Sequence, residues 1–218
     1  MKKVLIGSYL LIIILVIVVI FNNPFKQSHD SKAVLAGEKV YQKQCMICHG
    51  KTGKGEGAKV GTALNNQHYL STVSDKDLYQ NIKYGRVGTA MPALSSKVSE
   101  TDLNNLVTYI RNWQTEKIKF KVPERLSGNV NHGKQLYQLY CSSCHGERGS
   151  GKATMGPQLA NPQFLKYTSN RQIWIMIAYG REETRMSPSL KGFDGVRQLK
   201  KEDITDLVAY IRSLQIKK

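Results

Sequence analysis

GEKVYQKQCMICHG, Gly37 to Gly50, decides how this chain reads, because it recurs as GKQLYQLYCSSCHG, Gly133 to Gly146, at an offset of 96 residues. The likeness continues downstream. LNNQHYLSTVSDKDLYQNIKYGR (Leu64 to Arg86) aligns with LANPQFLKYTSNRQIWIMIAYGR (Leu159 to Arg181) at 95, and DLNNLVTYIRNWQ (Asp102 to Gln114) with DITDLVAYIRSLQ (Asp203 to Gln215) at 101. A duplicated module therefore fills most of the 218 residues. The step from 95 to 101 is a six-residue insertion in the second copy between Met186 and Asp203, where GFDG (Gly192 to Gly195) reads as loop. KIKFKVPERLSGNVN (Lys117 to Asn131) has charges, a proline and a glycine without an apolar period, and reads as linker. The expected modules are 33–116 and 129–216, joined by 117–128.

Each copy has helical periodicity. Leu103, Leu106, Val107 and Ile110 recur at spacings of three and four, as do Ile204, Leu207, Val208 and Ile211. Acids open both helices (Glu100 and Asp102, Glu202 and Asp203), and Ser99 stands as a cap before the first. No alternating Val/Ile/Thr run suggests a strand, so the fold class is all-α. Modules of this size are marginal on protein core alone, and something else is expected to fill the centre.

Cys45-Met46-Ile47-Cys48-His49 and Cys141-Ser142-Ser143-Cys144-His145 use all four cysteines. CxxCH is the attachment signature of a c-type haem: two thiols on one helical turn meet the two vinyl groups of a porphyrin, and the adjacent histidine lies under the iron. A zinc site built from four cysteines would want its pairs roughly 15–20 residues apart, whereas Cys48 and Cys141 are 93 apart. A thioredoxin-like pair would need a βαβ context, which is missing. Two covalently attached haem c groups are therefore expected.

The same register nominates a sixth ligand for each iron. Met91 follows His49 by 42 residues and Met186 follows His145 by 41, each beside a proline turn (Met91-Pro92, Met186-Ser187-Pro188). Met46, Met155 and Met176 align with Ser142, Val60 and Asn81, so no other methionine is repeated. The rival histidines, His68 and His132, have no counterpart in the other copy and read as surface or linker residues. Filled His/Met coordination raises the potential and favours electron transfer over binding of oxygen or peroxide.

Val4 to Phe21 is an uncharged run of 18 residues. As a helix it would cover ~27 Å, enough to span a bilayer, and it lacks a close small-x-small cleavage site. It is expected to be an uncleaved anchor within residues 1–25. Lys2 and Lys3 would hold its short end in the cytoplasm and place the rest outside. The formal net charge is +16, with 32 Lys+Arg against 16 Asp+Glu. Export excludes nucleic acid as the partner of that charge and leaves anionic lipid or acidic protein faces. Residues 121–218 are the most basic part, with 16 basic against 8 acidic side chains. Four haem propionates would bring the whole nearer ~+12.

With these motifs in place the chain resembles the class I cytochrome c family, as a tandem dihaem protein on a membrane anchor. The resemblance covers both modules and implies a helical fold in which the first and last helices of each module cross. The crossing residues would be Gly37 and Tyr41 with Leu106 and Tyr109, then Gly133 and Tyr137 with Leu207 and Tyr210. It also implies a proline whose carbonyl accepts from the free nitrogen of the proximal histidine; Pro157 fits, and Thr62 stands in its place in the first copy. Arg86 and Arg181, in the repeated Tyr-Gly-Arg, are expected beside haem propionates, where paired burial would neutralise both charges.

The expected function is one-electron transport on the outer face of the cytoplasmic membrane. Partners would be acidic-faced redox proteins such as a quinol-oxidising complex, a dehydrogenase or a terminal oxidase, and the chain could be a haem subunit of such a complex rather than an enzyme itself. The alternative is a dihaem enzyme, such as a thiosulfate dehydrogenase or a peroxidase, which would need an open or unusual iron site.

Overall fold

The computed structural model describes residues 30–56, 61–182 and 184–215. The expected anchor at 4–21 lies outside the described residues; among those described, no helix is long and apolar enough to cross a membrane. Ten α-helices and one 3-10 turn make up the regular structure of that part, and no strand occurs in it beyond two isolated bridges, Lys152 with Gly156 and Leu190 with Leu199.

The first module runs α1 (Ser31–Gln44), α2 (Met46–His49), α3 (Gln67–Thr72), α4 (Asp75–Tyr84) and α5 (Glu100–Arg111). The second repeats it as α6 (Val130–Tyr140), α7 (Ser142–His145), α8 (Pro162–Tyr167), α9 (Asn170–Tyr179) and α10 (Lys201–Ser213), with the 3-10 turn at Glu147–Gly149. Polar caps set the starts. Ser99 Oγ accepts from Asp102 N at 3.1 Å, and Ser74 and Ser169 do the same for α4 and α9. Asn66 and Asn161 cap the short α3 and α8.

In each module the first helix crosses the last. A Cβ added to Gly37 would sit 2.0 Å from the Asn105 carbonyl oxygen, and one added to Gly133 would sit 2.0 Å from that of Asp206. Only glycine permits so close an approach of two backbones. Beside the crossings, Tyr41 packs on Tyr109 (5.5 Å between ring centroids) and Tyr137 on Tyr210 (5.2 Å). Both inner tyrosines are fully buried, as are Leu106 and Leu207. Their hydroxyls donate to the Gly50 and Gly146 carbonyls at 2.7 and 2.8 Å, the residues that end the two CxxCH turns. Each crossing thus anchors its cysteine motif. Two separate apolar cores result, one around Leu70, Leu78, Leu103 and Leu106 and one around Trp174, Ile175, Ile204 and Leu207.

The linker is laid down rather than loose. Ile118 N donates to Ser71 Oγ at 3.0 Å, and Phe120, Val122 and Leu126 pack on the second core. Phe120 lies between His68 (5.4 Å) of the first module and Tyr179 (4.8 Å) of the second.

Candidate functional site

Cys45 and Cys141 end α1 and α6, and the rest of each CxxCH forms its own single turn. This places both thiols and the histidine of a motif on one short helical surface. No disulfide joins the four cysteines, and each is partly buried.

The loop after each motif returns to meet it. Gly55 N donates to the His49 carbonyl at 2.9 Å, and Gly151 N to the His145 carbonyl at 2.7 Å. A little further on, Gly61 and Gly156 pass so close that a Cβ would meet the Cys48 carbonyl oxygen at 2.3 Å and that of Cys144 at 2.8 Å. That approach delivers the next residue's carbonyl to the histidine. His49 Nδ1 bonds the Thr62 carbonyl at 2.8 Å, and His145 Nδ1 bonds the Pro157 carbonyl at 3.0 Å. A carbonyl can only accept, so Nδ1 carries the proton and Nε2 keeps its lone pair for a metal. Burial lowers the pKa of both histidines, with the Arg86 and Arg181 charges adding to the effect at His49 and Arg197 at His145. Neutral imidazole with a free Nε2 is the form that ligates iron.

Met91 and Met186 sit in matching loops after α4 and α9. Arg86 N donates to the Met91 carbonyl at 2.9 Å and Arg181 N to the Met186 carbonyl at 2.8 Å. Gly85 (φ 59°) and Gly180 (φ 69°) turn the chain there in a conformation other residues avoid. His68 and His132 are engaged elsewhere, against Phe120 and with Asp206 (2.7 Å) respectively.

Both arginines reach across the boundary between the modules. Arg181 belongs to the second module, yet its Nη2 donates to the Ala63 carbonyl of the first at 2.6 Å and its guanidinium lies 5.1 Å from the Tyr69 ring centroid. Arg86 reaches the other way, 5.6 Å from the Phe164 ring of the second module. The Nε of each is enclosed without a hydrogen-bond partner among the described residues. Two cations thus meet between the modules with no carboxylate of the described residues bonded to them, which suits anionic groups at the buried edges of two porphyrins.

A pair of structural arginines escaped the sequence reading. Arg111 Nη1 and Nη2 donate to the Leu70 and Val73 carbonyls at 2.6 and 2.9 Å, while its Nε meets Asp75 Oδ1 at 2.8 Å. Arg212 repeats this with Leu165, Thr168 and Asn170. Their register was the available signal, since Arg111 and Arg212 align at 101.

Comparison with known proteins agrees with the site. Residues 32–110 match the family described as cytochrome C oxidase, cbb3-type, subunit III, and residues 130–215 match the cytochrome c family. The chain is 24% identical over 200 residues to the cbb3-type cytochrome c oxidase subunit CcoP of Azospirillum brasilense, covering 84% of this chain and 62% of that one. It is 31% identical over 138 residues to subunit FixP of Rhizobium meliloti (strain 1021), covering 62% and 46%. It therefore spans less than two thirds of the length of these relatives. Among solved structures it is similar to a chain of the Kuenenia stuttgartiensis reducing HAO-like protein complex, with a TM-score of 0.49 and 21% identity over 83% of this chain and 96% of that one. With both halves matched and one haem motif in each, the chain belongs to the class I cytochrome c family as a tandem protein carrying two covalently bound haem c groups.

Proposed function

We propose that this protein carries single electrons between respiratory complexes at the outer face of the cytoplasmic membrane, as a haem subunit of a terminal oxidase. The observation that carries this reading is the repeated histidine geometry: His49 and His145 each give Nδ1–H to a backbone carbonyl in the same loop position. The relatives are named as subunits of cbb3-type oxidases, which supports the oxidase as the partner.

In this reading Cys45 and Cys48 would hold the first haem and Cys141 and Cys144 the second, with His49 and Met91, then His145 and Met186, as the side chains that would ligate iron. A haem bound there would supply reversible one-electron exchange between ferric and ferrous iron. The chain's own residues orient the ligands and keep water from the metal. Tyr41 and Tyr137 lock the cysteine turns to the helix crossing, Thr62 and Pro157 aim the imidazoles, and Arg86 and Arg181 neutralise buried propionates. The basic surface, strongest in the second module, would guide docking to an acidic partner face.

Two measurements test this. Reduction or oxidation by an isolated partner complex should slow as ionic strength rises, because screening weakens steering; a salt-independent rate removes the acidic-partner argument. Catalytic turnover of peroxide or thiosulfate by the purified protein would replace transport with the enzyme reading.

A further inference from the structure

The two proximal histidines are held by unequal means. In the second module the accepting carbonyl belongs to Pro157, whose ring fixes φ and stiffens the loop from within. In the first, Thr62 stands there with no such restraint. The first module alone has a compensating contact. Arg181 Nη2 bonds the Ala63 carbonyl, one residue past the carbonyl that holds His49. The equivalent arginine, Arg86, makes no side-chain hydrogen bond among the described residues, although its register partner for such a contact, the Gln158 carbonyl, lies beside Pro157.

The contact is well placed to act as a brace. The Ala63–Leu64 peptide is planar and is held at both ends, with Ala63 O taken by Arg181 and Leu64 N donating to the Gly53 carbonyl at 2.7 Å. Only the two backbone torsions of Ala63, itself buried, separate that fixed plane from the Thr62 carbonyl. Arg181 is fixed in turn. Its backbone N–H donates to the Met186 carbonyl, and the carbonyl of the next residue, Glu182, accepts from Asn66 Nδ2 at 2.7 Å. One residue of the second module thus ties its methionine loop to the histidine loop of the first.

We propose that Arg181 is a positioning residue for the first haem: through Ala63 it holds the Thr62 carbonyl on His49, supplying from the second module the stiffness that Pro157 provides within it. The first haem's potential then depends on how the second module is docked, because the Nδ1–H bond sets the basicity of the ligand. This rests on the reading of His49 as the first haem's axial ligand.

The test is a double-mutant cycle in the full haem-loaded chain, with Arg181→Gln and Thr62→Pro, reading each haem's ferric/ferrous equilibrium from its own NMR signals during reductive titration. Loss of the Arg181 charge acts alike in both backgrounds and cancels in the cycle; loss of the brace matters only where no proline replaces it. Thr62→Pro alone should move the first haem by less than about twofold and should move it several-fold more in the R181Q background, tenfold corresponding to about 59 mV for one electron. The second haem's response to Thr62→Pro should be the same in both. Additive effects at the first haem would overturn the proposal. A second readout needs no proline variant: in the ferrous protein, exchange of the His49 Nδ1 proton should quicken severalfold in R181Q while that of His145 does not, because a less firmly held acceptor carbonyl leaves Nδ1–H open to water more often. A His49 Nδ1–H signal shifted by the haem but exchanging at the native rate would sink the brace alone. A signal with no haem-induced shift would sink the ligand reading itself.

Discussion

Asn66 and Asn161 each cap a short helix in their own module and give their side-chain amide to the other: Asn66 Nδ2 donates to the Glu182 carbonyl at 2.7 Å, and Asn161 Nδ2 to the Val87 carbonyl at 2.9 Å. The pairs are equivalent in register, 66 with 161 and 87 with 182. The rings obey the same exchange, Arg181 on Tyr69 and Arg86 on Phe164. The modules therefore meet about a pseudo-two-fold axis, as two subunits of a symmetric dimer would.

Asn161 is fully buried, so its loss should be felt twice. Asn161→Ala removes the cap on Gln163 N and Phe164 N and leaves the Val87 carbonyl short of a donor. Each is worth about 1 kcal/mol, giving roughly 2 kcal/mol in denaturant unfolding. Asn161→Ser keeps a capping oxygen and should cost about half as much. Both should expose linker 117–128 to protease, and an unchanged cleavage rate would mean the interface does not depend on this residue.

Gly133→Ala forces a methyl into the Asp206 carbonyl at the helix crossing. Because the neighbour is backbone, relief requires the helices to move apart, at about 2–3 kcal/mol or more. Melting followed by the Soret signal should begin at a lower temperature in the second haem, and the first should follow as the contacts Asn66–Glu182, Asn161–Val87 and Arg181–Ala63 are lost.

The Arg111 and Arg212 clusters differ in the group that meets Nε, Asp75 against Asn170, and Arg111 also donates to Gln114 Oε1. Asn170→Asp would give the second module the ion pair of the first. Asp75 is 67% exposed, so a pair there contributes about 0.5 kcal/mol at low salt and less at high salt. A urea midpoint that rises at low salt and converges with the native one at high salt is the expected outcome.

Glu56 accepts from the Thr52 hydroxyl (2.5 Å) and amide (2.6 Å), and the hydroxyl bond chiefly holds its carboxyl down at about 2. A depressed acid favours the fold above its unfolded value of roughly 4.5, and that contribution disappears as pH falls to about 2. Melting temperature followed from pH 5 to 2 should fall less steeply in Glu56→Gln than in the native protein. Equal slopes would show that the contact has no role in the acid limb.

The duplication, both CxxCH turns and the helices were legible because each repeats a local pattern of cysteine spacing or apolar residues at helical intervals, while the helix crossings followed from the resemblance to class I cytochromes c. The Thr62 carbonyl was legible too, as the register partner of Pro157. The docking of the modules was not. It depends on single side chains reaching backbone carbonyls over 116 residues from Asn66 and 118 from Arg181, and no periodicity encodes such a reach. Arg181 shows the consequence, since it belongs to the second module and the fold carries its guanidinium to the Ala63 carbonyl and the Tyr69 ring of the first.

The axial ligands of the two irons are the centre of this account, and the near-infrared and magnetic spectra of the ferric protein test them most directly. Two low-spin haems per chain are expected, both with a sulfur-to-iron charge-transfer band that falls by half in Met91→Ala and by half in Met186→Ala. A native spectrum with one high-spin haem, or a band unchanged by either substitution, would contradict His/Met ligation and the electron-transfer role built on it.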